Sequence, residues 1–436
     1  MMENVRALAF ETLEAIFQDK AYSNLKLNEV LKANELSRAD KNLLTELVYG
    51  TIKRKITLEY YLKPFVQTRI KGWMRHLLWM SIYQYQYLDK VPDHAIINEA
   101  VEIAKVRGGL HNSKVVNGIL RNMMRSNLQN PADIKDDKQR ISIMYSMPKW
   151  IVKHWVTHYG VDTTERIAQS MLERPGQTVR VNLTRKTVAQ AIQQLQDEGY
   201  TVVQDSDIEY CLHASGKPVA ESRAFKDGIV SIQDKSSMFV AQILAPAEGD
   251  DILDACSAPG GKACQTAELL DGTGHVDATD IHEHKIDLIE HNVRKLRLKN
   301  VTAFQHDATK PYEKMYDKIL VDAPCSGLGV LCHKPEIKYM QTPETINNLV
   351  ELQLEIMNNI KDSVKPGGVI VYSTCTIEQM ENENVIYTFL KQNKDFEFEP
   401  FLHPRTKEEV KTLQILPQDF DSDGFFITKI RRKENK

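Results

Sequence analysis

From about residue 241 onward, short apolar segments alternate with stretches of helical periodicity: DILDAC (251–256), GHVDATD (274–280), NVTAFQHD (300–307), YDKILVDAP (316–324) and GGVIVYSTC (367–375). Apolar strands separated by helices predict a parallel, doubly wound α/β sheet. In such sheets ligands bind beyond the carboxyl ends of the strands, near the point where strand order reverses. The residues that close each strand are therefore the first place to look for chemistry, and two of these strands run into a cysteine, Cys325 in DAPCSG and Cys375 in YSTCTI.

The rest of the chain reads differently. From Asn4 to about Arg125, apolar residues recur at helical spacing, as in Leu43, Leu44, Leu47, Val48 and Ile52, with Ser37 placed to cap that helix. This predicts an all-α module of six or seven helices over residues 1–130. RSNLQNPADIKDDKQ (125–139) is polar and carries a proline, marking a boundary. QTVRVNLT, KTVAQAIQQLQDEGY, TVVQDSDIEYCL and GIVSIQD then read as strand, amphipathic helix, hairpin-like pair and strand, a small α+β domain over 141–240. The α/β domain takes 241–433. A chain of 436 residues fits this multidomain reading.

Composition excludes several classes. No apolar run approaches the roughly 18 residues of a membrane span, and the first residues (MMENVRALAFETLEAIF) mix charge with apolar residues at helical spacing, so no signal peptide is read there. The cytoplasm is the expected compartment. Six cysteines (Cys211, Cys256, Cys264, Cys325, Cys332, Cys375), none in a CxxC pair, are too few for a disulfide framework and read as free thiols. Net charge is −3, against a uniformly basic nucleic-acid binder. Residues 1–130, however, hold 19 Lys+Arg against 13 Asp+Glu, a net of +6, which leaves 37 against 46, or −9, for the remainder. The helical module is the better candidate for touching phosphate, although a solvated helical surface has the same composition.

The first α/β strand runs into DACSAPGGKA (254–263), where Gly260 and Gly261 let backbone approach a ligand and the next helix offers free N–H groups. A Walker A loop would need Gly at 256 and Ser or Thr at 263, and the dinucleotide fingerprint is absent. What remains is a glycine loop followed by acidic strand ends, Asp280 in ATDIHEH and Asp307 in FQHDAT. One carboxylate can take both ribose hydroxyls and the other an adenine amine, a set that suits S-adenosylmethionine.

Carbon 5 of a pyrimidine is a poor nucleophile, so methylating it requires prior attack on C6, for which a thiolate is the natural group. Afterwards the C5 proton must leave and the thiol be expelled, which a base assists. Neighbouring strands lie about 4.8 Å apart, so if the strands ending at Asp322 and Thr374 are adjacent, Cys325 and Cys375 converge on one base. Asp322 could bind that base or face the cofactor. Simple packing of small thiols is the bland alternative.

These motifs carry a resemblance. DACSAPGGKA, DAPCSGLGV and YSTCTIEQMENENV are similar to the motifs of RNA cytosine-C5 methyltransferases of the NOL1/NOP2/Sun type, and LVYGTIKRK, LDKVPDHAIINEAVEIAK and VVNGILRNMMR resemble the NusB fold. The resemblance covers nearly the whole chain. It implies a NusB-like domain, an RNA-recognition-like small domain with VRVN (179–182) and QDKSS (233–237), and a Rossmann-like catalytic domain. It further implies Cys375 as nucleophile, Cys325 as the residue needed for release, and cofactor contacts from Cys256, Ser257, Ala258, Pro259, Gly260, Gly261, Lys262, Asp280, Asp307 and Asp322. The implied substrate is a cytosine of small-subunit (16S) ribosomal RNA, with the chain acting as a monomer without metal or membrane. Where the family usually carries two arginines after GLGVL, this chain has Cys332 and His333, which weakens two phosphate contacts while Lys334 and Lys338 remain.

Other features read as structural. His282, His284 and His291 offer no helical face with a carboxylate and read as a solvated helix start rather than a metal site. ENENV (381–385) reads as capping and packing, and LLWMSIYQYQYL as core of the helical module. Two rivals stand beside the main reading: a tRNA or DNA cytosine methyltransferase, and a NusB-like RNA-binding factor with a vestigial catalytic domain.

Overall fold

The computed structural model describes residues 4–19, 21–173 and 176–434. The chain divides into two compact units, Met1–Glu173 with Leu331–Met340, and Arg174–Val330 with Gln341–Lys436.

The first unit is helical. Its leading helices are Val5–Asp19, Ser23–Ala33, Arg38–Lys53, Lys55–Leu62, Gly72–Tyr87 and Asp93–Met124, the last broken at Gly109. The Ser37 side chain accepts Asp40 N–H and caps the third helix as the sequence predicts. Leu44, Leu47, Val48 and Ile52 of that helix are fully buried, and Trp79, Ile82 and Tyr83 of the LLWMSIYQYQYL run join them in one core. Asp136, in the polar stretch, caps a helix at Asp137–Met144, and two more follow at Lys149–Tyr159 and Val161–Ser170.

Residues 331–340 belong to this helical unit although they follow DAPCSGLGV in sequence. The Glu336 carboxylate accepts Ser23 N–H (3.0 Å) and Ser23 O–H (2.6 Å) at the start of a helix, where an anion is stabilised by the free N–H groups. Tyr339 O–H donates to Ile52 O at 2.9 Å. Lys338 corrects the sequence reading: it is 2% exposed and donates to Lys53 O at 2.9 Å, so its ammonium is not available to a phosphate. Burial, then Lys53, Arg54 and Lys55, drives its pKa well down. Lys334 is exposed, as expected.

The second unit holds two sheets. Strands β1 (Gln177–Val181), β2 (Thr201–Gln204), β3 (Cys211–Ser215) and β4 (Val230–Ile232) form an antiparallel sheet in the order β2-β3-β1-β4. The helix Val188–Asp197 packs with it, opened by a Thr187/Gln190 capping box.

The large sheet comprises β5 (Asp251–Asp254), β6 (His275–Asp280), β7 (Val301–Gln305), β8 (Tyr316–Asp322), β9 (Val364–Thr374) and β10 (Phe396–Phe398). A short pair, β11 (Phe401–Leu402) and β12 (Glu409–Val410), stands apart, while β13 (Thr412–Ile415) and β14 (Phe425–Arg432) complete it. Its order is β10-β14-β9-β8-β5-β6-β7, with β13 on β14. β5 to β9 are parallel, but β14 joins β9 antiparallel and carries β10 and β13 the same way, so the sheet is mixed rather than wholly parallel. The chain builds outward from β5 through β6 to β7, then returns to the other side of β5 with β8. The strand order therefore reverses between β5 and β8, and their exit loops diverge there.

Candidate active site

The β5 exit loop is held by the sheet. Ala255 N–H donates to Leu320 O (3.0 Å), Ser257 N–H to Thr279 O (2.8 Å), and Gly260 N–H to Ser257 O (2.7 Å). Gly260 has φ +94°, and a Cβ there would lie 3.1 Å from Ile289 Cγ2, so both backbone and space call for glycine. The helix Gly261–Leu269 follows directly.

Beyond the strand ends lies a cavity of about 460 Å³, within the range of small-molecule sites. Of the residues expected to bind cofactor, Cys256, Ala258, Asp280, Asp307 and Asp322 line it, joined by His282 and Lys285. Asp307 accepts Thr309 N–H (2.9 Å) and O–H (2.8 Å) on one oxygen, and Asp280 accepts His282 N–H at 3.1 Å. Each carboxylate is thereby oriented while an oxygen is kept for a ligand. Ser257, Pro259, Gly260, Gly261 and Lys262 shape the loop rather than the cavity wall. Lys262 instead donates to Asp322 Oδ2 at 2.6 Å, while Ser373 Oγ donates to Asp322 Oδ1 at 2.9 Å.

β8 and β9 are neighbours, with Asp322 opposite Ser373. Their exit loops carry the two cysteines into contact, Sγ to Sγ 3.4 Å, both half-buried. Gly329 makes this possible: its N–H donates to Cys375 O at 3.0 Å, and a Cβ would sit 2.0 Å from Gly424 O. The hydrogen bond to Cys375 first, then burial and the charges of Glu381 and Asp322, hold the Cys325 thiol well above the ordinary thiol range. Ionisation of Cys325 is thereby opposed by every neighbour that acts on it. Lys262 lies within the field of Cys375. Burial alone would lower its pKa, but Asp322, Asp254 and Cys375 together raise it and keep it cationic.

Three features went unread in the sequence. Asp254, at the end of β5, is 1% exposed, and its carboxyl makes no well-formed hydrogen bond, only weak contributions from the Ser257 hydroxyl and the Cys256 N–H. Arg180 of VRVN is 1% exposed and pairs bidentately with Glu268 (2.9 and 2.8 Å); it also donates to Gly261 O (3.1 Å) and to Gln233 of QDKSS. Both motifs thus hold the glycine-loop helix, a role their position in a separate strand pattern did not announce. Glu381 corrects the capping reading of ENENV: the following helix Glu383–Gln392 has no side-chain cap, and the Glu381 carboxylate accepts Ser326 N–H at 2.8 Å instead. Asp205, Cys211 and His213 lie close enough to share a cation, but Lys235 already places its ammonium 2.7 Å from Asp205.

A glycine loop and acidic strand ends around a cavity at the switch point, with helical and antiparallel accessory domains, define a Rossmann-like methyltransferase of composite architecture. Family models agree: 16S rRNA methyltransferase RsmB/F over residues 241–431, the NusB family over 3–125, and the RsmF/B-like ferredoxin-like domain over 147–219. The chain is 43% identical over 442 residues to the probable ribosomal RNA small subunit methyltransferase B of Bacillus subtilis (strain 168), covering 99% of each. In fold it is similar to the crystal structure of PH0851 (24% identity, TM-score 0.84, 99% of this chain and 100% of that one). It is likewise similar to NSun6 from Pyrococcus horikoshii with SFG (23%, TM-score 0.61, 67% and 100%). The chain belongs to the ribosomal RNA small subunit methyltransferase B family.

Proposed function

We propose that this protein transfers the methyl group of S-adenosylmethionine to C5 of a specific cytosine in 16S ribosomal RNA, with Cys375 adding to C6 and Cys325 serving release. The observation that carries this reading is the pair of thiols in contact at the ends of adjacent strands, beside Lys262 and Asp322. On this reading residues 241–433 perform the chemistry, and the domains at 1–130 and 141–240 supply position and affinity on RNA in the cytoplasm.

The cavity fits the donor. Its walls are apolar at Ala255, Ala258, Ile281 and Ile356, and its acids sit at successive strand ends, as a molecule with a ribose, an adenine and an ammonium requires. Cys256 to Lys262, Asp280, Asp307 and Asp322 would hold it, and when bound it supplies an electrophilic methyl group.

The chain's own residues account for the remaining steps. The Cys375 thiolate forms a bond to C6, and the electron pair of the C5–C6 double bond becomes available at C5. Lys262, fixed to Asp322, keeps a positive charge beside the nucleophile, and Asp322 faces the base or its exocyclic amine. Once Cys375 sulfur is bound to carbon its negative charge is gone, and with it the main influence that kept Cys325 protonated. Cys325 then gives its proton to solvent and, as thiolate, takes the one from C5; the C5–H electron pair re-forms the C5–C6 double bond as the C6–S bond breaks and Cys375 departs as thiolate. A cytosine must leave the stack for C6 to be reached.

The test is incubation of the full chain with S-adenosylmethionine and 16S RNA, free or in small-subunit particles, alongside tRNA and duplex DNA, followed by nucleoside mass spectrometry. 5-Methylcytidine in 16S RNA alone is expected. Methylation confined to tRNA or DNA would transfer the reading to those substrates, and RNA binding with no methylation on any substrate would favour the factor with a vestigial catalytic domain.

The replacement of two arginines by Cys332 and His333 is expected to weaken two phosphate contacts, one of which an arginine at 333 would restore. His333→Arg should steepen the dependence of log affinity on log salt by about one unit. An unchanged slope in filter binding at several salt concentrations would rule the contact out.

A further inference from the structure

Two adjacent residues, Glu381 and Asn382, are fully buried between the exit loops of β8 and β9, and their side-chain hydrogen bonds divide between the two loops, while the Glu381 carbonyl accepts Tyr372 O–H of β9 at 2.7 Å. Glu381 serves the Cys325 loop. Its Oε1 accepts Ser326 N–H (2.8 Å) and the Gln353 amide (3.1 Å), its Oε2 accepts Ser326 O–H, and Gln353 also donates to Pro324 O (2.9 Å). Ser326 is thus tied to the carboxylate directly and Pro324 through Gln353. Asn382 serves the Cys375 loop. Its Oδ1 accepts Thr374 O–H (2.6 Å) and its Nδ2 donates to Thr376 O (3.0 Å), again flanking the cysteine on both sides. Gln414 takes the other amide hydrogen at 2.9 Å. Ser326 Oγ and Thr376 Oγ1, 2.9 Å apart, also tie the two loops together beside the cysteines.

A turn this short could have been held by backbone alone. Burying a carboxylate is costly, and it is retained only where donors satisfy it. Here three donors converge on Glu381, two of them from the residue after Cys325. Fixing a reacting atom to within a fraction of an ångström is worth orders of magnitude in rate.

We propose that Glu381 and Asn382 are separate positioning residues for the two half-reactions, Glu381 aligning Cys325 for release and Asn382 aligning Cys375 for attack. This rests on the covalent mechanism proposed above. Neither residue touches the base; each acts through the loop it holds.

The test compares Glu381→Gln, Asn382→Ala and wild type, as full chains with S-adenosylmethionine, on two versions of the same 16S transcript. In the first, 5-fluorocytidine replaces cytidine. Fluorine leaves no proton at C5, so every variant able to attack accumulates a covalent adduct, whose rate of formation on a denaturing gel reads attack alone. In the second, ordinary RNA, adduct accumulates only where release fails.

Glu381→Gln is expected to form the fluorinated adduct at close to the wild-type rate. On ordinary RNA it should lose about 10- to 100-fold in turnover and accumulate adduct. Asn382→Ala should slow formation of the fluorinated adduct by a similar factor and accumulate nothing on ordinary RNA. Ser326→Ala, which removes one donor to Glu381 and leaves the carboxylate in place, should repeat the Glu381 pattern more weakly and stands in should Glu381→Gln fail to fold. Equal slowing of both steps in both variants, or wild-type turnover in Glu381→Gln, would overturn the division. No fluorinated adduct from wild type that still methylates ordinary RNA would overturn the covalent mechanism itself, a result distinct from either.

Discussion

Cys375→Ala abolishes methyl transfer and Cys325→Ala converts the enzyme into one that traps its RNA: these are the expected results of assaying both variants with S-adenosylmethionine and 16S RNA. The asymmetry follows from where the proton sits. The sulfurs lie 3.4 Å apart, and the hydrogen bond to Cys375, burial and the charges of Glu381 and Asp322 all oppose ionisation of Cys325, so on the proposed mechanism Cys375 is the member that attacks. On the proposed mechanism, removing Cys375 deletes the group that attacks C6, so turnover should fall by at least about ten-thousand-fold, as for loss of a nucleophile in other covalent enzymes. Removing Cys325 leaves attack possible and deletes the group that completes elimination. A denaturing gel should therefore show a slow-migrating protein–RNA species for Cys325→Ala and none for Cys375→Ala. The opposite pattern would exchange the two roles. Absence of adduct in every variant, with wild-type methylation intact, would mean that C6 is never attacked by sulfur.

What the sequence discloses about this site depends on whether a property is periodic or spatial. The strand ends are legible because apolar runs alternate with helices at a regular interval, and Asp280, Asp307 and Asp322 at those ends line one cavity. The meeting of Cys325 and Cys375 was legible only conditionally, since spacing along the chain does not say that β8 and β9 are neighbours. The mixed character of the sheet was missed because β14 comes 50 residues after β9 and is held there by antiparallel pairing, Phe426 opposite Thr374. Burial of polar groups is harder still. Lys338 reads as a cation left for phosphate, yet residues 331–340 belong to the helical unit, and ENENV reads as capping and packing, yet the donors to Glu381 lie 28 and 55 residues away in sequence. Neither distant partner leaves a mark on the local pattern.

Asp254 is the clearest instance of such a group, and it leads to a second large effect. Its carboxyl is fully buried, and burial pushes its pKa up to about 7; Asp322 adds to the rise, and the Ser257 hydroxyl and Lys262 only partly offset it. In the unfolded chain an aspartate titrates near 3.9. Because the folded-state value is raised, the protonated form favours folding: the contribution is complete below about pH 4 and is lost as pH rises toward 7. Three units of displacement correspond to about 4 kcal/mol, reached at a slope of about 1.4 kcal/mol per pH unit. Asp254→Asn removes the ionisation. Its amide carries its own burial cost, so absolute stability is a poor readout, but the difference between variant and wild type is not. In denaturant unfolding, that difference should move by about 2 to 3 kcal/mol in favour of the variant between pH 5 and pH 7, then level off above pH 8. Parallel stability curves across this range would show that Asp254 is ionised and satisfied throughout.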